Sequence, residues 1–430
     1  MGKNPKEIPS KTLGLFKNIA SYFAPPPQLT VSEWADKYRV LRSATSAEPG
    51  SWSTDRVPYM REIMDCLAET SPVQSVCFMK SAQVSGPLWV ETPIPTVDGW
   101  KNMGDLQPGD VVFDENGCRT MVTAVSPVFY NRDCYEITFS DGSVVLCDAE
   151  HLWSVDMHKH GKLLGQCTKR TAELLSGYKT SERNNYAIRV AGGLRLPEVS
   201  LPVDPYALGL WLGDGHSYSN QLTVFEDDAV EFKWYLDAAG HTCVVRKARA
   251  YNVRALNIII EPKNFTTIKR DKYFGQKLAD LGVLKNKHIP MQYLRASYEQ
   301  RLALLQGLMD TDGTVTKNGR CCIITANDRL RDGIYELLVS LGIKATFAPR
   351  ICTKVQGRPM KKGESVHWQF SFLVYDDTPV FRLKRKLAGL VSRNGRRTTE
   401  TEKRRITSIK AVESVPVRCI TVDSPSHLFL

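Results

Sequence analysis

The sequence lacks the features of membrane and secreted proteins. Its 430 residues contain no run of 18 apolar residues, which excludes a conventional membrane-spanning helix. The N-terminal stretch MGKNPKEIPSKTLGLFKNIA carries lysines but no apolar core followed by a small-residue cleavage site, so a signal peptide is excluded. We therefore expect a cytoplasmic protein with no membrane partner.

The cysteines follow no metal-binding or disulfide pattern. There are 11 of them, an odd number, and no two have the CxxC spacing. A zinc ribbon and a disulfide framework are therefore unsupported, and reduced thiols are expected. The length exceeds that of one ordinary core and predicts two to four domains. A hydrophobic content of 42% with 24% charged residues is typical of globular proteins.

Positive charge is concentrated in one part of the chain. The net charge is +11, and residues 201–390 hold 28 basic against 19 acidic side chains. A basic surface of this kind can bind a polyanion such as DNA. It can equally be a solvated surface without a partner, and charge alone favours that simpler explanation.

Residues 1–86 predict helices followed by a strand and a loop. Thr30 or Ser32 can cap a short helix, SEWADKYR, and a second helix is predicted along RVPYMREIMDCLAE. The apolar run 76–79 predicts a buried strand, and the small-residue loop after it begins with Lys80. A strand followed by such a loop is typical of phosphate binding. The pattern changes at Pro87, before the helix that should follow.

The remaining chain alternates between two patterns. Residues 87–200 show the apolar–polar alternation and Gly/Asp-rich turns of an all-β domain, whereas residues 201–390 mix helical and strand-like runs. After a charged connector at 392–405, the last segment is strand-like again. Since exposed loops tolerate insertions, we predict an all-β domain that is split by an inserted α+β domain.

Three ordered blocks in the β segments resemble the inteins. They are the stretch TPIPTVDGWKNMGDLQPGD, the stretch DGSVVLCDAEHLW and the stretch VRCITVDSPSHLFL. The first matches the opening intein block in seven residues: Thr92, Ile94, Thr96, Gly99, Leu106, Gly109 and Asp110. The second matches the block whose histidine stands beside the N-terminal splice junction. The resemblance implies a Hint fold and self-splicing.

One departure from the usual intein sequence indicates which residues would carry out the chemistry. Most inteins begin with Cys or Ser, but this one would begin with Pro87, which has no nucleophile. A subclass instead uses a cysteine of the penultimate block and a tryptophan two residues after the block-two histidine; Cys419 and the pair His151/Trp153 match it. The resemblance implies that Cys419 attacks the Gly86 carbonyl and releases Pro87 as an amine. His151 would protonate that nitrogen and polarise the peptide, while Trp153 packs against the site.

These residue types alone would be weak evidence for protein splicing. A single cysteine in a strand is usually an inert core thiol, and a single histidine is usually structural; the ordered blocks favour the splicing roles. Asp148 stands where most inteins have threonine, and no role is assigned to it. Inteins end in His-Asn followed by Ser, Thr or Cys, and the sequence stops at Leu430 before such residues. We expect it to perform the first step but not the last, unless a longer or second chain supplies them.

The middle segment resembles LAGLIDADG homing endonucleases of the DOD type. Residues 207–215 (ALGLWLGDG) and 305–313 (LQGLMDTDG) both match the motif. Gly209 and Gly307 would let two helices cross closely, and Asp214 and Asp312 would bind Mg²⁺ between DNA phosphates. Two solvated or capping aspartates are the alternative, which the duplication disfavours.

A lysine between the two motifs is a further candidate. Lys287 lies in LKNKHIPMQYLRAS, which resembles the lysine-bearing stretch of intein endonucleases. It is predicted either to stabilise charge electrostatically or to contact the DNA backbone. Basic strands around 244–272 and 344–362 would lie in the major groove of double-stranded DNA.

Residues 1–86 resemble the large terminase subunit of lambda-like phages, through the loop KSAQVSG and the strand before it. The resemblance implies a DNA-packaging ATPase in which Lys80 binds ATP once splicing has restored the loop. It also implies the small terminase subunit and the procapsid portal as partners, in the cytoplasm of a bacterial host.

The resulting prediction is a multidomain chain that combines an all-β Hint domain, an α+β LAGLIDADG domain and an α/β P-loop ATPase fragment. The boundaries are 1–86 (host fragment), 87–200 and 391–430 (splicing domain), and 201–390 (endonuclease). The alternative is a nucleic-acid-binding packaging-motor fragment with an inactive insertion. A secreted hedgehog-type autoprocessing domain is disfavoured, because it lacks paired LAGLIDADG helices and requires secretion.

Overall fold

The chain forms two compact units, Met1–Gln83 and Val84–Leu430. A computed structural model describes residues 10–22, 29–41, 50–56, 58, 60–68, 71–73, 86–180, 183–247, 255–260, 273–352, 354–355, 358–359, 364–393 and 401–430. The predicted strand at 76–79 and the loop that begins with Lys80 lie outside these residues. No helix within the described ranges has the length and apolar character needed to span a membrane.

The first unit contains short helices and a two-stranded hairpin. Its described elements are α1 (Ser10–Tyr22), α2 (Val31–Tyr38), β1 (Val40–Leu41), β2 (Gly50–Ser51), a 3₁₀ turn (Thr54–Arg56) and α3 (Met60–Asp65). Thr30 caps α2 in a reciprocal capping box with Glu33. Ser32, the other predicted cap, instead donates its backbone N–H and its hydroxyl to the Asp65 carboxylate. These bonds tie α2 to α3, which is shorter than the helix predicted there.

The second unit begins as a β domain. Its elements before the middle region are β3 (Leu88–Trp89), β4 (Pro93–Thr96), β5 (Gly99–Asn102), a 3₁₀ turn (Met103–Asp105), β6 (Val111–Phe113), β7 (Arg119–Val125), β8 (Cys134–Phe139), β9 (Val144–Asp148), β10 (Leu152–Lys159), β11 (Lys162–Arg170), α4 (Thr171–Leu175), β12 (Lys179–Thr180), β13 (Arg183–Asn184) and β14 (Tyr186–Arg189). Alternating buried and exposed residues along β7 show why this segment forms a strand with one face on the core.

The middle region is mixed. Its elements are α5 (Pro205–Asp214), β15 (Gln221–Phe225), α6 (Glu226–Ala238), β16 (Cys243–Lys247), β17 (Ala255–Ile260), α7 (Phe274–Asp280), α8 (Met291–Leu294), α9 (Tyr298–Thr311), β18 (Gly313–Val315), β19 (Arg320–Thr325), α10 (Asp328–Ser340), β20 (Ala345–Cys352), β21 (Lys354–Val355), β22 (Arg358–Pro359), β23 (Ser365–Leu373) and α11 (Lys384–Leu387). Each motif helix precedes its own antiparallel sheet, with strand orders β15-β17-β16 and β18-β19-β23-β20.

The end of the chain returns to the β domain as β24 (Lys403–Val412), β25 (Val417–Arg418) and β26 (Ile420–Val422). β24 and β25 complete an eight-stranded sheet in the order β11-β10-β14-β24-β8-β9-β3-β25, and β26 pairs with β7 in a second sheet. Ile137 and Val155 therefore share one core with Ile406 and Ile420. The segments on either side of the middle region thus form one sheet and one core.

Local capping fixes the start of both motif helices. The Asp204 side chain accepts the Ala207 N–H, with Pro205 in the first turn of α5. Ser297 starts α9 with a capping box. Hydrogen bonds join the middle region to the β domain, including Arg295 Nε to the Thr96 carbonyl at 2.9 Å. The two regions of the second unit therefore hold one another in place.

Candidate functional sites

The Gly86–Pro87 peptide is buried beneath the loop that carries His151. A side chain at residue 86 would overlap the backbone of Glu150 and His151, so only glycine allows this approach. His151 Nδ1 lies 2.5 Å from the Gly86 carbonyl oxygen. Because a carbonyl oxygen only accepts, Nδ1 must carry the proton in this contact. The contact is to the oxygen, so it supports polarisation of the peptide rather than protonation of the Pro87 nitrogen.

Aromatic packing and burial define the state of His151. Its ring meets Trp153 edge-on at a centroid distance of 4.6 Å, and Trp153 Nε1 donates to Thr171 Oγ1 at 3.0 Å. Burial lowers the pKa of His151 to about 4, and the hydrogen bond to Gly86 only partly opposes this shift. The imidazole is therefore neutral at physiological pH and donates to the carbonyl without carrying a charge. It also forms part of the wall of a cavity of about 410 Å³.

Strand pairing brings Cys419 to the same peptide. Leu88 pairs with Arg418 in the antiparallel β3–β25 ladder, and Pro87 and Cys419 are the next residues along the two chain segments beyond this pair. The Cys419 thiol is buried, and its backbone N–H donates to Ser126 Oγ at 3.0 Å. Arg418 fixes this end of the strand, because its guanidinium donates to the Ser126 and Gly104 carbonyls at 3.0 and 2.6 Å.

The two motif helices cross through their glycines. A Cβ on Gly209 would overlap the Leu304 carbonyl oxygen, and one on Gly307 would overlap the Tyr206 carbonyl oxygen. Their Cα atoms face one another at the crossing. The geometry confirms the close approach that the paired motifs predict, and it brings the C-terminal ends of α5 and α9 together.

Those helix ends bring Asp214, Asp312 and Lys287 into one charged cluster. Burial, and then repulsion from Asp312, raise the pKa of Asp214 to about 7, although Lys287 opposes the shift. Asp312 is exposed to solvent, yet desolvation by the surrounding protein raises the pKa of its carboxyl as well, against the opposing charges of Lys287 and Lys386. Lys287 Nζ donates to the Gly213 carbonyl at 2.9 Å, and burial lowers its pKa. Two crowded carboxyls beside one partly desolvated ammonium form the candidate nuclease centre.

Sequence analysis missed a second lysine at this centre. Lys386 of α11 is buried, and its ammonium donates to the carbonyls of Met309, Asp310 and Gly313 at 2.9, 2.7 and 2.6 Å. It thereby caps the end of the helix that leads to Asp312. Burial lowers its pKa to about 8. The only signal in the sequence is the basic cluster LKRKL, in which nothing marks the third basic residue as the buried one.

Two points about ligand sites complete the description. Within the described ranges, no three or more His, Cys, Asp or Glu side chains are grouped so that they could hold a metal ion by themselves. A cation at Asp214 and Asp312 would need further ligands from DNA or water. Lys80, the predicted ATP-binding residue, lies outside the described residues.

Family comparisons match two parts of the chain. Residues 46–92 match the ATPase domain of the phage terminase large subunit gpA, and residues 299–367 match a LAGLIDADG-like domain. The first match ends a few residues beyond the Gly86–Pro87 peptide. The second includes the motif that contains Asp312 but not the motif that contains Asp214.

Individual relatives extend these matches. A replicative DNA helicase DnaB of Mycobacterium intracellulare is 33% identical over 365 residues, which are 81% of this chain and 57% of the relative. The chain thus spans little more than half of that protein. The solved MchDnaB-1 intein is 40% identical over 18% of this chain and 57% of that chain, with a TM-score of 0.16. The homing endonuclease I-DmoI is 14% identical over 44% of this chain and 96% of that chain, with a TM-score of 0.26.

TM-scores this low support no conclusion about the overall domain arrangement. The family assignment therefore rests on the amino-acid sequence. The ordered blocks on both sides of the middle region, the long match to a DnaB helicase and the match to a LAGLIDADG-like domain identify an intein with a LAGLIDADG endonuclease domain. The segment before it is a fragment of the terminase gpA ATPase domain.

Proposed function

We propose that the second unit cleaves its own backbone at Gly86–Pro87 through a thioester on Cys419. The observation that carries this proposal is the contact of His151 Nδ1 with the Gly86 carbonyl oxygen, beside a cysteine that directly follows the strand paired with the residue after Pro87. A neutral N–H held against a carbonyl in a water-poor site stabilises the negative charge that develops there during attack.

The proposed step balances without a cofactor. The Cys419 thiolate attacks the Gly86 carbonyl carbon, the S–C bond forms and the C–N bond to Pro87 breaks. The Pro87 nitrogen takes up the one proton that the Cys419 thiol gave up when it formed the thiolate, and residues 1–86 are then held on Cys419 as a thioester. His151 stabilises the oxygen during this step, and Trp153 fixes the imidazole in its orientation through the edge-on contact.

Trapping the thioester tests the proposal. The full chain is incubated with hydroxylamine, which cleaves thioesters, and the release of residues 1–86 is followed by mass spectrometry. Cys419→Ala should abolish this release, whereas Cys167→Ala, on the outer strand β11, should leave it unchanged. Release at the wild-type rate from Cys419→Ala would refute the assigned nucleophile.

We propose further that the middle region cuts double-stranded DNA at a site in the uninterrupted host gene. Asp214 and Asp312 would hold a divalent cation such as Mg²⁺, since two crowded carboxyls with raised pKa values are relieved by a shared positive charge. When bound, the cation would supply Lewis-acid stabilisation and an activated water. Lys287 would balance charge between the two acids, and the excess of basic residues in 201–390 would bind the phosphate backbone.

Cleavage of plasmid DNA carrying that gene tests the nuclease. With Mg²⁺ present, Asp312→Asn should cut at no detectable rate. Asp237→Asn removes an exposed carboxylate from α6 of the same region and should cut as wild type does. Retained cutting by Asp312→Asn would exclude the acid pair as the catalytic centre.

The host segment is proposed to be an interrupted ATPase. Once spliced, its Lys80 would bind ATP, and the product would assemble with the small terminase subunit and the procapsid portal in the bacterial cytoplasm. The unspliced chain should hydrolyse no ATP, because the phosphate loop would end at Gly86 instead of continuing into its helix. Measurable ATP turnover by the purified precursor would contradict this.

A further inference from the structure

Asp148 lies beside the scissile peptide on the strand opposite Cys419. Its backbone N–H donates to the Pro87 carbonyl at 3.1 Å, and Leu88 pairs with Cys147 in the same register. Pro87 therefore lies between Asp148 on β9 and the segment that carries Cys419, the residue directly after β25. Residues that are level across antiparallel strands project to the same face of a sheet. Continuing both registers by one residue would put the thiol and the carboxyl on one face, on either side of Pro87.

The Asp148 carboxyl is an unusual group for this position. It is fully buried, and both Nε and Nη2 of Arg132 donate to its Oδ2, at 3.1 and 2.8 Å. The Glu150 N–H donates to Oδ1 at 3.0 Å. Burying a carboxylate is costly even when it is paired, and a residue without charge would fill the site more cheaply. A buried charge retained next to a reactive peptide marks a functional candidate.

The proposed first step leaves one proton without a carrier. The Cys419 thiol must lose a proton before it attacks, and the Pro87 nitrogen must gain one as it leaves. His151 holds its Nδ1 proton against the Gly86 oxygen and is neutral because burial depresses its pKa. It therefore stabilises the oxygen but is poorly suited to deliver a proton to nitrogen.

We propose that the Asp148 carboxylate takes the proton from the Cys419 thiol and returns it to the Pro87 nitrogen. One proton is moved, one S–C bond forms and one C–N bond breaks, so no further reactant is needed. Arg132 is a positioning residue that holds Asp148 in the ionised form before attack. The inference rests on the proposed thioester chemistry and adds to it a residue that acts on the proton.

Several titratable and charged groups surround Asp148 and influence the pH at which its carboxyl titrates. Arg132 precedes β8 and Glu150 follows two residues after Asp148, while Cys134 faces it from β8 and Cys419 from the other side of Pro87. Burial raises the pKa of Asp148 against the opposing effect of Arg132. The cleavage rate of the wild type should therefore fall as the pH drops towards that raised pKa, since the base is lost.

Asp148→Asn in the full chain tests the proposal by the hydroxylamine release rate and its pH profile. General acid–base catalysis contributes about 100-fold or more, so the rate should fall by at least about that factor and the acidic limb of the profile should disappear. Asp156→Asn is the matched control: Asp156 is equally buried in the same sheet and is ion-paired to Arg189 and Lys403. It should keep the wild-type profile.

Two further variants keep the outcomes distinct. Asp148→Thr introduces the residue that most inteins have there, so it should fold while losing the carboxylate and should be as slow as Asp148→Asn. If both Asp148 variants cleave within about threefold of wild type while Cys419→Ala is inactive, Asp148 is no proton carrier and the thioester proposal stands. If Cys419→Ala cleaves normally, the thioester proposal itself fails.

Discussion

The Gly86–Pro87 peptide and the ends of the two motif helices each lie beside an ionisable group that burial neutralises, but the two pKa values shift in opposite directions. Burial makes His151 a neutral donor by lowering its pKa to about 4. At the helix ends, burial and mutual repulsion raise the pKa of Asp214 to about 7. In each case the low-dielectric surroundings favour the neutral form. The junction is suited to work without a cation, whereas the acid pair is suited to receive one.

The same contrast extends to the lysines. Both lysines donate to carbonyls at the end of a motif helix: Lys287 donates to that of Gly213 on α5, beside the two carboxyls, whereas Lys386 donates to several carbonyls at the end of α9. The ends of the two motif helices are therefore stabilised differently, although the motifs are similar in sequence.

Lys386→Met should destabilise the middle region by about 3 to 5 kcal/mol, because several buried carbonyls lose their donor. Thermal or denaturant unfolding would measure the loss, and Lys384→Met, an exposed neighbour on α11, is the control. Equal stability of the two variants would show that Lys386 does not hold the end of α9.

Asp214→Asn should stabilise the protein at neutral pH. In the folded state the pKa of Asp214 is about 7 against an ordinary value of 3.8, so the folded chain binds more protons between these values. Wild-type stability should fall as the pH rises through that window, by up to about 4 kcal/mol. The asparagine variant lacks this loss. A stability difference between the two proteins that is the same at pH 4 and pH 7 would contradict the raised pKa.

His151→Gln should change the pH dependence of stability in the direction opposite to that of Asp214→Asn. The folded pKa of about 4 lies below the ordinary 6.5, so the unfolded chain binds more protons between these values. Wild-type stability should therefore fall as the pH drops from 6.5 to 4, by up to about 3 kcal/mol, and the variant should not show this fall. Hydrogen exchange resolved by region would separate the stability change near His151 from the stability change near Asp214. We expect the plots of local stability against pH to have slopes of opposite sign in the two regions.

The sequence predicted some of this geometry and could not predict the rest. The paired motifs predicted the Gly209–Gly307 crossing because a helix repeat fixes which residues share a face. The capping residue Thr30 was predictable from the local pattern, whereas the tertiary contact of Ser32 with Asp65 at the end of α3 was not. Lys386 reaches the carbonyls at the end of α9 from α11, which is distant in sequence, and no local signal encodes that contact.

Strand register was the larger part of the structure that the sequence could not predict. The intein-like blocks suggested His151 and Cys419 as partners, but only the β9–β3–β25 pairing puts Asp148 and Cys419 on either side of Pro87. Register depends on which strands meet, and a shift by one residue would turn either side chain to the opposite face. The departure of Asp148 from the intein pattern was visible in sequence, yet its role depended on that register.

Gly86→Ala tests whether the junction depends on close contact in the way the helix crossing does. The added methyl group would meet the backbone of Glu150 and His151, which cannot yield as a flexible side chain can, so the peptide must move away from the imidazole. A displacement of about 1 Å from the reactive geometry costs about 100-fold in rate. Hydroxylamine release should fall by that factor. Gly14→Ala, where an added Cβ meets nothing, should cleave normally, and an unimpaired Gly86→Ala would show that His151 need not touch the junction for cleavage.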